Sequence, residues 1–251
     1  MIQRKTKEEI AIMREGGAKL GTILQKLLGY SDPGISLLAI EKYANDLIDK
    51  SGAKASFKTV KGYHWATCLC VNEVVVHGIP TSYILRDGDV LTIDIGLLFG
   101  GFHTDMAWTK IVGEAKGDDK KLKERFLQVG QEALWDAIKQ ANIGKRVGNI
   151  SHVVQSTIEG AGFSIVKTLV GHGVGRSLHE DPQVPNYRRG PIEDTYPFMG
   201  GETIAIEPIY AQGGGSIVYE NNDGWTLATK DHSLAASFEH SIAITEDGPM
   251  V

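Results

Sequence analysis

The sequence predicts an α/β chain of the α+β kind, with mainly antiparallel sheet flanked by helices and arranged as two pseudo-symmetric halves. Three observations carry this. Helical periodicity opens the chain and returns near its middle, and Gly100-Gly101 joins two long strand-like runs. In addition, Gly34, Leu37, Ile40, Ile48 and Gly52 match Gly144, Val147, Ile150, Ile158 and Gly162 at one constant offset of 110. Duplication of a half is the economical explanation of that offset.

Taken in order, Thr6 and Glu9 have the spacing of a capping box, and Ile10, Met13, Leu20, Leu24 and Leu27 follow at roughly helical period. After the turn Asp32-Pro33-Gly34, a second amphipathic helix runs through Leu37, Ile40, Ala44, Leu47 and Ile48 and stops at Gly52. Strands are expected over Ala55 to Val60, Ala66 to Val76, Val90 to Phe99 and Phe102 to Val112, the last two forming a hairpin. The pattern then recurs: helices from about Asp118 to Ala141 and Asn149 to Ala161, then strands over Ser164 to Val170, Thr203 to Ile209, Ser216 to Tyr219 and Leu234 to Ile244. No linker or low-complexity segment divides the halves, so one domain over residues 1–251 is expected, with a pseudo-repeat of about 1–115 and 116–251.

Composition narrows the class. With 42% hydrophobic and 23% charged residues the chain is ordinary for a globular protein, and it has no run of about 18 apolar residues that spans a bilayer. The segment Met1 to Glu9 carries charges and lacks the apolar stretch of a secretory signal, which points to the cytoplasm. A net charge of -5 gives no general attraction to nucleic acid or an anionic membrane. The only cysteines, Cys68 and Cys70, are too close in an extended segment to bridge easily, in keeping with a reducing compartment.

Acidic residues stand where a strand should be apolar: Asp94 in Leu-Thr-Ile-Asp-Ile and Glu207 in Ile-Ala-Ile-Glu-Pro. Such a carboxylate is unfavourable unless paired, protonated or bound to a metal. Gly88 to Asp94 runs parallel to Gly201 to Glu207, making Asp94 and Glu207 counterparts, and Asp105 and Glu239 each fall inside the strand after the turn that follows their partner. If Gly100-Gly101 is a two-residue turn, Asp94 lies opposite Ala107 and Asp105 opposite Gly96, so both aspartates share a face as diagonal neighbours about 7 to 8 Å apart. One such acid alone reads as an edge charge or a salt-bridge partner; four at corresponding places read as one site. Clustered carboxylates repel and take up protons unless cations neutralise them, and two divalent ions balance four negative charges. His172 in Gly171-His172-Gly173-Val174-Gly175 is the best nitrogen ligand, because the flanking glycines permit close backbone approach, and His179 follows seven residues later. A mixed carboxylate and imidazole set suits Mn, Fe, Co or Zn rather than Ca or Mg, and the lack of thiolates argues against a structural zinc.

Other chemistries find little support. Gly171 to Gly175 lacks the strand-GxGxxG-helix form and a phosphate-binding lysine, His179-Glu180 lacks the second histidine of a zincin, and no Gly-x-Ser-x-Gly elbow occurs. His64, His103, His152, His232 and His240 read as surface or packing residues.

Val71-Asn72-Glu73-Val74-Val75-Val76-His77-Gly78-Ile79-Pro80 resembles the signature of type I methionine aminopeptidases. So do Asp94-Ile95-Gly96 with Gly101-Phe102-His103-Thr104-Asp105, Gly171 to Arg176 with His179-Glu180, Ile206-Glu207-Pro208, and Phe238-Glu239-His240. The resemblance covers nearly the whole chain and implies the pita-bread fold. Carried over by position, Asp94, Asp105, His172, Glu207 and Glu239 are the implied ligands of two divalent ions, and His77 and His179 the implied substrate contacts. Tyr63, Cys68, Leu178 and Trp225 fall where the family lines an apolar slot for the methionine thioether, although Leu178 reads equally well as ordinary core. Val60 to Thr67 departs from the family pattern before Cys68, as does Met106-Ala107-Trp108 after Asp105, which leaves the pocket's shape open.

The implied reaction is hydrolysis of the amino-terminal methionine of nascent proteins and peptides, preferentially before a small second residue, by water activated between two metals. Glu207 is expected to shuttle a proton, His179 to stabilise the oxyanion and His77 to assist at the substrate nitrogen. The expected enzyme is monomeric, with ribosome association compatible with nascent substrates. Two alternatives remain. A prolidase normally carries an additional amino-terminal domain, for which this chain has no room, and a catalytically dead pita-bread binding protein is recognised by lost ligands, whereas all five positions are filled here.

Overall fold

Thr6 starts the first helix through the reciprocal pairing that its spacing from Glu9 predicts. In the computed structural model, which describes residues 2–251, the Glu9 N–H donates to the Thr6 hydroxyl and the Thr6 N–H donates to the Glu9 carboxylate. Met1, the first residue of the charged amino end, lies outside the described residues. Helix α1 (Lys7–Tyr30) buries Met13, Leu20, Leu24 and Leu27, and α2 (Leu37–Ser51) ends at Gly52 with φ 74°. Strand β1 (Lys54–Ala55) is two residues long, because the chain bends into a 3-10 turn over Phe57–Thr59. This corrects the strand expected over Ala55 to Val60. The Ser56 N–H donates to the Gly96 carbonyl at 2.9 Å, and a Cβ at residue 96 would stand 2.8 Å from Ser56 and 3.0 Å from the Phe57 ring. Tertiary approach to a glycine overrides local strand propensity.

The strand expected over Ala66 to Val76 is likewise two strands, β2 (Thr67–Val71) and β3 (Val74–Val76), parted by a turn in which Asn72 adopts φ 55°. The hairpin of β4 (Val90–Phe99) and β5 (Phe102–Ile111) forms as expected, with Gly100 and Gly101 both at positive φ. Its register sets Asp94 opposite Ala107 and Asp105 opposite Gly96.

The second half opens with α3 (Gly117–Ile138) and α4 (Val147–Gly160). Strand β6 (Ser164–Ile165) stops short of the expected 164–170 run, and β7 (Val170–Gly173) begins where that run was to end. There follow β8 (Glu180–Pro185), β9 (Thr203–Ile206), β10 (Ile209–Ala211), β11 (Ile217–Tyr219), β12 (Leu227–Thr229), β13 (Ala235–Ser237), β14 (His240–Thr245) and β15 (Gly248–Met250). The sequence reading foresees no strand at β8, β12 or β15. In β8 two prolines mask the strand signal, and they are tolerated because β8 is the edge of its sheet.

Two corrections bear on the site. The expected strands Thr203 to Ile209 and Leu234 to Ile244 are interrupted at Glu207-Pro208 and Phe238-Glu239, so neither glutamate is inside a strand. Pro208 has no N–H for a ladder. The register is the same on both sides of the gap, Ile206 facing His240 and Ile209 facing Ser237, which places Glu207 opposite Glu239.

Strand pairing is antiparallel throughout the described residues. One sheet runs β1-β4-β2 with β5 on β4, and another runs β15-β14-β9-β7-β8. Helices α1 and α2 cover the first with a core that includes Leu24, Ile40, Ile93 and Ile95; α3 and α4 cover the second with Phe126, Leu134, Ile150 and Ile204, and Trp108 packs against both cores. The halves meet along β5 and the β13–β14 segment. There the Glu239 N–H donates to the Ala107 carbonyl at 2.9 Å, the Ser241 hydroxyl bonds both the N–H and the carbonyl of Asp105, and the Thr109 hydroxyl donates to the Ser237 carbonyl. The acid-bearing segments therefore lie side by side at the seam.

Candidate metal centre and active-site cavity

A cavity of about 170 Å³ opens at this seam, and its walls hold all the site residues expected from sequence: Asp94, Asp105, His172, Glu207 and Glu239, His77 and His179, and Tyr63, Cys68, Leu178 and Trp225. Asp94 and Asp105 reach it from the β4–β5 hairpin, Glu207 and Glu239 from the facing interruptions, and His172 from β7. Glycines 171 and 173 serve the close approach read from sequence, since a Cβ at either would strike the backbone of Ala205 or Asp181. Asp105, His172 and Glu239 each offer one ligand atom within 4.8 Å of the others.

The donor set fits a cation. Asp94 Oδ1 and Glu239 Oε1 are buried without a hydrogen-bond partner, the costly condition that a metal relieves. His172 Nδ1 lies 2.8 Å from the Gly173 carbonyl, which only accepts, so Nδ1 carries the hydrogen. Burial, and then the nearby His179, holds the imidazole down to about 4, so it is neutral at pH 7. Its free lone pair is on Nε2, 3.6 Å from Glu207 Oε1 and 4.0 Å from Asp105 Oδ2, distances too long for hydrogen bonds. A lone pair and carboxylate oxygens aimed at one space are a metal-binding arrangement.

Burial drives the carboxylates up from their ordinary values: Asp105 to about 7, and Asp94, Glu207 and Glu239 well above the usual range, with Asp105 the next largest cause in each. A consequence is testable on metal-free protein. Folded values raised above the unfolded values near ~4 mean that protonation favours the fold; this contribution is complete below about pH 4 and is lost as pH rises through about 7. Removing metal is therefore expected to lower Tm, more at pH 8 than at pH 5, since a ligand at 100 times its Kd stabilises by about 2.7 kcal/mol. An unchanged calorimetric melting curve after metal removal proven by elemental analysis would count against a shared buried site.

The other end of the cavity is apolar. Phe57, Tyr63, Cys68 and Leu178 form a buried cluster, with Trp225 packed on it edge-on to Tyr63 at 5.1 Å between ring centroids. Cys68 lies opposite Asp94 in the β2–β4 register, and burial, reinforced by Asp94, pushes its thiol far up. The Tyr63 hydroxyl donates to the Thr67 carbonyl at 2.8 Å. His77, edge-on to Trp225, and His179, whose ring is 4.4 Å from that of His172, line the same cavity. Burial, and for His77 also His179, holds both imidazoles below their ordinary value. Phe57, Val60 and Val76 line the cavity too, and the sequence assigns none of them to its walls. Phe57 was hidden by the strand expected there, whereas Val76 had a usable signal in its place beside His77. Of the remaining histidines, His103 is buried against the Ser56 hydroxyl and His240 packs between Trp108 and Trp135, while His64, His152 and His232 are exposed.

Comparison with known proteins gives a consistent picture. The family model described as metallopeptidase family M24 matches residues 11–246. Methionine aminopeptidase 1 of Bacillus subtilis is 44% identical over 248 residues, spanning 99% of this chain and 97% of the relative. A crystal structure of methionine aminopeptidase from Thermotoga maritima superposes with a TM-score of 0.93 at 40% identity, covering 100% of this chain and 98% of that one. A prolidase from Pyrococcus furiosus, 20% identical with a TM-score of 0.75, shares the fold over 98% of this chain and 64% of its own.

Proposed function

The chain belongs to metallopeptidase family M24, and from that premise we infer that it is an aminopeptidase that hydrolyses the amino-terminal methionine of proteins and peptides. It is a metal-dependent hydrolase of pita-bread fold, and the family uses divalent metal. The observation that carries the substrate reading is the make-up of one cavity: a carboxylate and imidazole wall at one end and an apolar aromatic slot at the other. An unbranched thioether suits the slot, and the substrate's free amino group is drawn to the acidic end, which confines action to chain termini.

We assign Asp94, Asp105, His172, Glu207 and Glu239 as ligands of two divalent ions, chosen from Mn, Fe, Co and Zn by the mixed oxygen and nitrogen donors. When bound, such a pair supplies Lewis acidity toward the scissile carbonyl and lowers the pKa of water. Glu207 takes the proton of the attacking water at its carboxylate and returns it to the leaving nitrogen. His179 and His77 are neutral at pH 7, so each has one N–H to donate; His179 donates to the developing oxyanion and His77 to the substrate main chain beside the scissile bond. Tyr63, Cys68, Leu178 and Trp225 hold the methionine side chain and keep water from it.

No helix among the described residues is long and apolar enough to cross a membrane. We place the enzyme in the cytoplasm as a monomer that meets nascent substrates at the ribosome, and read residues 1–251 as a single catalytic domain whose halves, about 1–115 and 116–251, join through the β5 seam.

Steady-state hydrolysis of Met-Ala-Ser and of Xaa-Pro peptides, each with Mn, Fe, Co and Zn, tests the assignment. Met-Ala-Ser is expected to be cleaved, a bulky residue in place of Ala to slow cleavage, and Xaa-Pro peptides to remain intact. Preferential cleavage of Xaa-Pro would point to a prolidase instead.

A further inference from the structure

His179 has no hydrogen bond to its ring among the described residues; its one ring contact is His172. Its aim is therefore set by the backbone of the loop between β7 and β8. That loop is fastened at its far end by residues from the opposite end of the chain. Lys5, whose side chain is 1% exposed, places Nζ 2.5 Å from Glu180 Oε2 and 3.0 Å from the Gln3 carbonyl. The Lys5 N–H donates to the Gly201 carbonyl at 2.7 Å, fixing the segment alongside the sheet. A Cβ at residue 175 would collide with Lys5 Cε and Nζ, so Gly175 is what lets the lysine stem lie across the loop. On the other side, Glu180 Oε1 accepts from the Ser177 N–H at 2.9 Å, closing the loop on itself. Arg176 adds bonds to Gln3 and Glu9, and the His103 N–H donates to the Gly175 carbonyl at 2.6 Å.

We propose that Lys5 and Glu180 form a positioning clamp, in which the amino-terminal segment holds the 174–179 loop so that His179 faces the reacting carbonyl. Neither residue lines the cavity, so both act through His179. A buried ion pair is weak evidence of added stability, because two ions are taken from water to make it; register is a better attested use. Here the register is that of one catalytic side chain. The inference rests on the reading of His179 as an oxyanion donor, and its test separates the two.

The test compares metal-loaded wild type with Lys5→Met, which keeps the stem over Gly175 and removes the charge, in both the native and the His179→Ala backgrounds. Amide exchange over 174–179 is expected to accelerate in Lys5→Met, and kcat/KM on Met-Ala-Ser to fall about 10- to 100-fold, the scale of a slight misplacement of a catalytic group. In the His179→Ala background the same substitution is expected to change kcat/KM less than about twofold. Should Lys5→Met fail to fold, Lys5→Met/Glu180→Met leaves no unpaired buried charge and carries the same expectations. Unchanged exchange over 174–179, or an undiminished loss in the His179→Ala background, overturns the clamp. A wild-type rate for His179→Ala alone overturns the reading of His179, and loop exchange then decides the clamp by itself.

Discussion

Glu239→Ala is expected to lose metal and activity together. Glu239 is 4% exposed, its Oε1 has no hydrogen-bond partner, and its ligand atom shares a 4.8 Å cluster with those of Asp105 and His172. Its main chain is tied separately, by the N–H that donates to Ala107, so alanine removes the carboxylate and leaves the seam. Elemental analysis is expected to find less metal than in wild type, and turnover to fall by more than the roughly 10- to 100-fold typical of a group behind a ligand. Excess metal is expected to restore part of the rate. The metal-free variant should behave in the opposite sense: with one buried acid fewer repelling Asp105, Glu207 and Asp94, its Tm at pH 8 should exceed that of metal-free wild type. Full metal content at wild-type turnover would remove Glu239 from the site.

The acid cluster was legible because a two-residue glycine turn fixes register. Once Gly100-Gly101 is read as the turn, the positions of Asp94 and Asp105 follow without knowledge of the rest of the chain. Glu207 was legible as a carboxylate in an apolar run, and Glu239 as the counterpart of Asp105 and through the Phe238-Glu239-His240 motif. Ile-Ala-Ile-Glu-Pro reads locally as continuous strand, but Pro208 has no N–H to continue a ladder and the strand stops before Glu207. The bend at Ser56 and Phe57 depends on Gly96, 40 positions away, and no local pattern in Ala55 to Val60 carries that information. The apolar slot was placed by family resemblance, since small and aromatic residues such as Cys68 and Tyr63 read equally well as core. Lys5 and Glu180 are separated by 175 positions, and no local pattern around either one pairs them.

His77→Ala separates ligand from catalyst, and is expected to retain both metal ions while losing about 10²- to 10⁴-fold in rate, the range of a positioned acid or base. His77 follows β3 at the end of the apolar slot, edge-on to Trp225, and lies outside the cluster formed by Asp105, His172 and Glu239. Its removal should leave elemental analysis unchanged and excess metal without effect. The backbone adds a control, because His77 has φ 56°, a left-handed conformation that alanine adopts less readily than asparagine. If the loss came from backbone strain alone, His77→Asn should recover most of the wild-type rate; if it comes from the imidazole, both variants should be similarly impaired. Burial, and then His179, holds the ring below its ordinary value, so His77 does not titrate within the ordinary histidine range, and an acid limb in that range should not be displaced in His77→Asn. Loss of both ions from His77→Ala, or turnover at the wild-type rate, would make the substrate-facing assignment of His77 wrong.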